Sequence, residues 1–387
     1  MAGERIFLDH ASGGPLLPAA KAAMEKVLAG HGAAPGGGHR EARESREFLE
    51  HARKQAAEFL GVEDPERIVF TSGGTESVQS AIRGWGEGAG KGTLYVSEME
   101  HPAVEAAVRR LEKEGFRMMR IPVDGEGRLQ WTKVKAAEGP GLVCVHLAHH
   151  DLGIVQDLKQ AAVFAKSVKA QLFVDASFGA GWVSLPEGLE GIDLLAMSGH
   201  RLGGPKGSGL LFIRSGFPWR GQVQGGRQEN DQRAGTENLP AIAGLAAALA
   251  EWGRSGEQFR KIAREAQQEL LEGIRKKVSK AKLHGPEPGL ERNPSHLGMS
   301  FAGLEAEALA LVLDRVGVSA KGGSGCVTRE MKIPPAMKAI GAKPEEARSL
   351  ILFTLGVMTS TPDLSVSANL ISEAVKRLAS SLPRDLS

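Results

Sequence analysis

The sequence predicts an α/β protein, with a large unit on a mostly parallel sheet and a smaller α/β unit after it. Three observations predict this. From about residue 65 to 215, short apolar runs alternate with helix-like runs, the pattern of βαβ units. A second, shorter alternation follows residue 281. The chain has 387 residues, 42% hydrophobic and 24% charged, enough for two or three globular domains at about 150 residues each.

The elements follow in order. REARESREFLEHARKQAAEFLG (40–61) reads as a long helix of mixed charge. ERIVF (66–70) is a short buried strand, and SVQSAIRGW (77–85) has apolar residues at helical spacing. TLYVSE (93–98) is a strand, and PAVEAAVRRLEKEG (102–115) an amphipathic helix stopped by Gly115. RMMRIPV, LVCVHL (142–147), QLFVDA (171–176), DLLAMS (193–198) and GLLFIR (209–214) continue the strands. EQFRKIAREAQQELLEGIRKKVSKA (257–281) is a long helix able to bridge the two units. LGMSFAG, EAEALALVLDRVG, SLILFTLG and NLISEAVKRLASSL form the second layer. The N-terminal stretch is expected to join that layer or the boundary.

Charge and composition remove several function classes. Lys and Arg total 48 against 46 Asp and Glu, a net charge of +2. No polybasic surface is implied, which argues against nucleic acid or anionic lipid as partner. No apolar run approaches the roughly 20 residues of a membrane span. MAGERIFLDH carries charge where a secretory signal would be apolar. Two cysteines exclude a disulfide scaffold and suit a cytoplasmic protein. Glycines number 50 and cluster in short loops, as expected where backbone must approach a ligand closely.

Parallel sheets bind ligands at the carboxyl ends of their strands, so the loops there hold the candidates. TSGGTES (71–77) follows a strand and opens a helix. Its backbone amides, two glycines and the Thr75 hydroxyl suit a phosphate. A plain turn with Thr75 as helix cap is the other reading. His101 precedes a helix, where a histidine caps or packs as readily as it reacts. Asp175 ends the strand QLFVDA, where a turn residue is the bland reading. Ser198, His200 and Arg201 share a Gly-rich loop, and Arg233 and Thr236 precede another helix. Cys326 lies in the polar loop KGGSGCVT, which favours a reactive thiol over a packed one. Cys144, inside LVCVHL, reads the other way.

The order of these motifs resembles the cysteine desulfurases of NifS/IscS type, within the class V aminotransferases that use pyridoxal phosphate. FLDHAS resembles the family's YLDNAAT, TSGGTES its TSGATEA, and EHPAV is its own motif. VDAS, SGHRLGGPKG, GGRQE, RAGTEN and GGSGC are similar to VDAxQ, SGHKxxGPKG, GGGQE, RSGTxN and SGSAC. The resemblance runs from residue 7 to 356, nearly the whole chain. It implies a fold-type-I architecture: a mostly parallel seven-stranded sheet in a large domain (15–260), and a smaller α/β domain (1–14 and 261–387). It also implies roles. Gly74, Thr75, Ser198 and His200 would hold the cofactor phosphate, with Thr236 reaching across a homodimer. His101 would stack on the pyridine ring and move protons, His150 would touch the ring hydroxyl, and Asp175 would pair with the ring nitrogen. Cys326 would take sulfur from L-cysteine, or act on another small amino acid. A sulfur acceptor or iron–sulfur scaffold is the implied partner.

Several positions depart from that pattern. The family's Schiff-base lysine is Arg201, and a guanidinium cannot lose its proton to attack an aldehyde. Arg201 would suit a carboxylate or phosphate instead. Lys206 and Lys321 are candidate substitutes, although Lys206 matches the family's second lysine and is expected to point elsewhere. The arginine that clamps the substrate carboxylate is Leu352, in LFTLG. The family's NNE is His149-His150-Asp151, and its glutamine after VDA is Phe178. The family's NPSSxH is replaced by residues 34–39, ending at His39. His10, His39, His101, His149 or His150, and His200 could converge with Asp151, Asp175 and Cys326 on a metal. Their spacing is not that of a metal motif, and adjacent His149 and His150 are expected to point apart.

Three functional readings stand. One is a desulfurase-like enzyme with sulfur on Cys326 and pyridoxal phosphate bound without a Schiff base, impaired in turnover. Another is a catalytically inactive dimeric partner for binding or sulfur relay, without cofactor. The third is a pocket repurposed for a metal or another anion.

Overall fold

Seven strands form the central sheet of the computed structural model, which describes residues 5–30, 32–323, 333–359 and 361–381. Their spatial order is Ile68–Thr71, Gly209–Ile213, Leu194–Ser198, Ala170–Asp175, Gly141–His146, Thr93–Ser97 and Arg117–Ile121. Gly209–Ile213 runs antiparallel to both neighbours, and the other pairings are parallel. The expected α/β architecture with a mostly parallel seven-stranded sheet is therefore present.

Alternation of side chains explains why the sheet is covered on both faces. Leu172 and Val174 join one apolar cluster with Leu49, Ala161 and Leu249 from three helices. Phe173, between them, joins another with Val78, Ile82, Val104 and Val108. Leu195 and Met197 face the first cluster, Leu194 and Ala196 the second. Cys144 is fully buried in the second, where burial and then the Glu100 and Glu105 charges push its thiol well up. That placement fits a packed cysteine rather than a reactive one.

Helix Arg40–Leu60 lies against the first face, with His39 as its cap. It buries Arg53, whose guanidinium donates to both oxygens of Glu229 (2.8 and 3.0 Å) and to the Ile68 carbonyl (2.6 Å). Glu229 also accepts from the Phe70 amide at 2.8 Å. This pair pins the strand that leads into the TSGGTES loop.

Two helix starts differ from expectation. The helix expected over 77–85 spans Gly74–Ala89, with Gly73 rather than Thr75 at the cap. Gly73 has φ +149°, which side chains rarely tolerate. The helix expected over 257–281 spans Leu239–Lys277, capped by Asn238. Its first half is apolar on most sides and buried, so it lacks the amphipathic period that marks its second half. At 39 residues it is about 58 Å long. Its far end, with Ala266, Leu270, Leu271 and Ile274, packs into another core around Met299, Leu309, Ile351 and Phe353.

That second core covers an antiparallel sheet of Lys321–Gly322, Leu350–Thr354, His296–Phe301 and Ala281–Leu283. The N-terminal strand Ile6–Phe7 pairs in parallel with Val318–Ser319. The Leu8 carbonyl then accepts the Thr354 amide at 2.7 Å. This carries Asp9, His10 and Ala11 up to the carboxyl edge of the large sheet. Among the described residues, no helix is long and apolar enough to cross a membrane.

Candidate active site

The loops after five strands of the large sheet surround an open cleft of about 380 Å³. Gly74, Thr75, His101, His150, Asp175, Ser198, His200 and Arg201 all line it. Thr236 does not. It lies in a neighbouring cavity that shares Ser72 and Gly207 with the cleft. His39, the exposed cap of its own helix, also lies elsewhere. Cys326 falls outside the described residues.

One end of the cleft is an anion cup. The first turn of Gly74–Ala89 opens into it with free amides and a positive helix end. A Cβ on Gly74 would sit 2.6 Å from Ser177 Oγ and 3.2 Å from Ser198 Cβ. Only glycine lets the helix come this close. Ser198 Oγ lies 2.9 Å from His200 Nδ1. Burial, then the charges of Arg201 and Lys206, lower the His200 pKa to about 4, so the ring is neutral at pH 7. Glu76 stiffens the loop by accepting from the Ser72 amide at 2.8 Å and pairing with Arg233.

Ser177 escaped the sequence reading, and Lys206 lies where it was not expected. Ser177 Oγ is buried and has no hydrogen-bond partner among the described residues. Lys206 lines the same cleft, although it was expected to point elsewhere. The loop after His200 folds back, so Lys206 crosses the N-terminal loop beside Gly13 and His200. A following Ser after the strand-end Asp, and a Lys before the return strand, were the available signals.

The middle of the cleft holds Asp175 and a row of imidazoles. Asp175 Oδ1 accepts the Ser177 amide at 2.9 Å, leaving its second oxygen for a ligand. His101 caps helix Pro102–Lys113, accepting the Ala103 amide on Nδ1 at 3.1 Å. Its neutral form therefore carries its proton on Nε2. Burial lowers the His101 pKa, partly offset by Asp175. His150 meets His101 edge-on at 5.1 Å and stacks on His149 at 4.5 Å and 26°. The two adjacent rings were expected to point apart. They stack because they sit in a turn, where the alternation of a strand does not apply. His149 donates from Nε2 to the Met99 carbonyl at 2.7 Å, and Nδ1 accepts the Asp151 and Leu152 amides. Both its nitrogens are thus used by the fold. Burial holds His149 and His150 well below the usual imidazole range and lifts Asp151 to about 7. Among the described residues no group of three or more His, Cys, Asp or Glu is placed to hold a metal.

Behind this row, buried His146 lies 2.8 Å from Glu100, and Gln156 donates to its other nitrogen at 3.2 Å. At the far end sits Arg201, its guanidinium 5.4 Å from the Phe178 ring centre. Burial lowers its pKa to about 10, against Asp175 and Asp9, so it stays charged at pH 7. Leu352 is buried with Met99, Leu152, Ile154 and Met337, an apolar cluster with no charge to offer a carboxylate.

Residues 6–364 match the family pattern described as aminotransferase class-V. The chain belongs to that family. It is 32% identical over 386 residues to a cysteine desulfurase IscS of Dictyoglomus turgidum, covering 98% of this chain and 96% of the relative. It is 34% identical over 386 residues to a cysteine desulfurase of Cereibacter sphaeroides, covering 98% of each. A solved NifS-like protein superimposes with a TM-score of 0.88 at 26% identity, covering 97% of this chain and all of the other. Class-V aminotransferases of the cysteine desulfurase type use pyridoxal phosphate.

Proposed function

We propose that this is a cysteine desulfurase-like protein that binds pyridoxal phosphate without a covalent bond and turns over L-cysteine weakly or not at all. One observation carries the reading. The cleft keeps an anion cup and Asp175, yet Arg201 stands where the resemblance puts the bonding lysine.

The residues fit the cofactor's phosphate and ring. The orphaned Ser177 Oγ and the Cβ-free approach at Gly74 suit an oxyanion. The Gly74 amide, Thr75, Ser177, Ser198 and His200 would hold the phosphate, with Thr236 of a second copy in a homodimer. Asp175 would hold a proton on the ring nitrogen. His101, fixed by its cap bond, would lie on the ring face with a proton at Nε2. His150 would meet the ring hydroxyl. When bound, pyridoxal phosphate supplies an electron sink for carbanion chemistry. Cys326 would carry the sulfur, for an acceptor or iron–sulfur scaffold protein. A dimeric, catalytically inactive partner is the second reading, favoured by the apolar burial of Leu352.

Equilibrium dialysis against pyridoxal phosphate and pyridoxal tests the cup. Pyridoxal phosphate is expected to bind at least about 100-fold more tightly, since charge-assisted bonds contribute about 1.5–3 kcal/mol each. Equal affinity for the two would overturn the assignment.

A further inference from the structure

Arg201 carries an observation that the cofactor does not explain. Its Nε and Nη1 are shut off from solvent and donate to nothing among the described residues. Buried guanidinium donors without acceptors are costly, and a ligand that accepts from them offsets that cost. Arg201 also lines two spaces at once. One is the cleft. The other is a smaller chamber walled by Phe178, Trp182, Trp252 and Leu355. The imidazoles around it are held neutral: His10 and His200 are lowered to about 4 by burial, and His101 and His150 are lowered by burial too. Arg201 is thus the cation among the described residues that line the smaller chamber, with Asp175 and Asp9 as the acids that act on it and Lys206 further along the cleft.

We propose that Arg201 is the seat of a small monocarboxylate, gripped by the guanidinium with its short apolar body against the aromatic wall of the chamber. A guanidinium fork matches two carboxylate oxygens. Among the described residues, no acidic side chain and no Lys or second Arg lines the chamber, so a second charge on the ligand finds no counter-ion there. The seat replaces the clamp lost at Leu352 and moves it to another element. It rests on the cleft being a ligand site, as the proposed function does, but not on the cofactor.

Calorimetric titration of the full chain, with and without pyridoxal phosphate, tests it. The probes are propionate, neutral 1-propanol and inorganic phosphate. Propionate is expected to bind, and propanol at least about tenfold more weakly. Inorganic phosphate, drawn to the cup, is expected to leave propionate binding unchanged. Arg201→Met should weaken propionate at least about tenfold, since it removes the guanidinium fork while keeping the bulk of the side chain. Arg201→Lys, which keeps the charge without the fork, should fall between. No binding of propionate, binding of propanol as tight, displacement by phosphate, or unchanged binding in Arg201→Met would each overturn the seat. The cofactor-free arm reads it even if pyridoxal phosphate never binds. The phosphate cup is judged separately by the pyridoxal comparison.

Discussion

Sulfide release from L-cysteine by the unaltered chain is expected to fall about 10²- to 10⁴-fold or more below that of a lysine-bearing desulfurase. Two losses combine. A pKa of about 10 leaves roughly one Arg201 in a thousand neutral at pH 7, and the neutral guanidine is delocalised and a poor nucleophile. No positioned amine therefore serves as nucleophile or proton carrier at that position. The second loss is at Leu352. Its side chain is buried among apolar neighbours, so the substrate carboxylate finds no cation there. Arg201→Lys alone is not expected to restore turnover. The reversion supplies an amine but removes the guanidinium that stands in for the clamp, and Phe178 and His150 still line the pocket. A continuous sulfide assay on both proteins decides this. Robust release with Arg201 in place, abolished by Cys326→Ala, would show that the pocket has another chemical route.

Glu229→Gln is expected to lower stability by about 3–5 kcal/mol, the usual effect of breaking a buried ion pair from one side. Arg53 and Glu229 are each only 2% exposed at their side chains, so neither charge has water to fall back on. Glu229 also holds the Phe70 amide, in the strand that delivers Ser72, Gly73 and Gly74 to the cup. Its backbone is strained as well: Glu229, Asn230 and Asp231 all have positive φ, between 48° and 64°. Left-handed backbone costs a non-glycine residue about 1–2 kcal/mol, so the ion pair is what fixes this turn. Urea unfolding measures the effect. Replacing both partners, as Arg53→Met with Glu229→Leu, should recover only part of the loss, because it leaves no lone charge but strips the Phe70 amide of its acceptor. A loss below about 1 kcal/mol in the single variant would contradict this account of the turn.

Much of this was legible in the sequence, for a physical reason. Strands buried on both faces are short apolar runs, and LVCVHL and DLLAMS read as such without ambiguity. A parallel sheet then puts its ligands at the strand ends, so Asp175, Ser198 and His101 could be found by position alone. What escaped depends on tertiary contact. Helix Pro18–Leu28 went unnoticed because it buries little, Ala20 alone being fully enclosed. The first half of Leu239–Lys277 has no polar face to mark a period. The stacking of His149 on His150 needs a turn whose amides bond to one of the rings. The orphaned donors of Arg201 and Ser177 appear only once their neighbours are in place.

The central claim is that the cleft holds pyridoxal phosphate without a bond to any lysine. Borohydride reduction of the loaded protein, followed by mass spectrometry of the intact chain and its peptides, tests it most directly. The account predicts an unchanged protein mass and a cofactor that leaves on dialysis. A pyridoxyl adduct in stoichiometric yield on Lys206, which lines the cleft, or on Lys321, whose charge acts on His101 and Asp151, would contradict it.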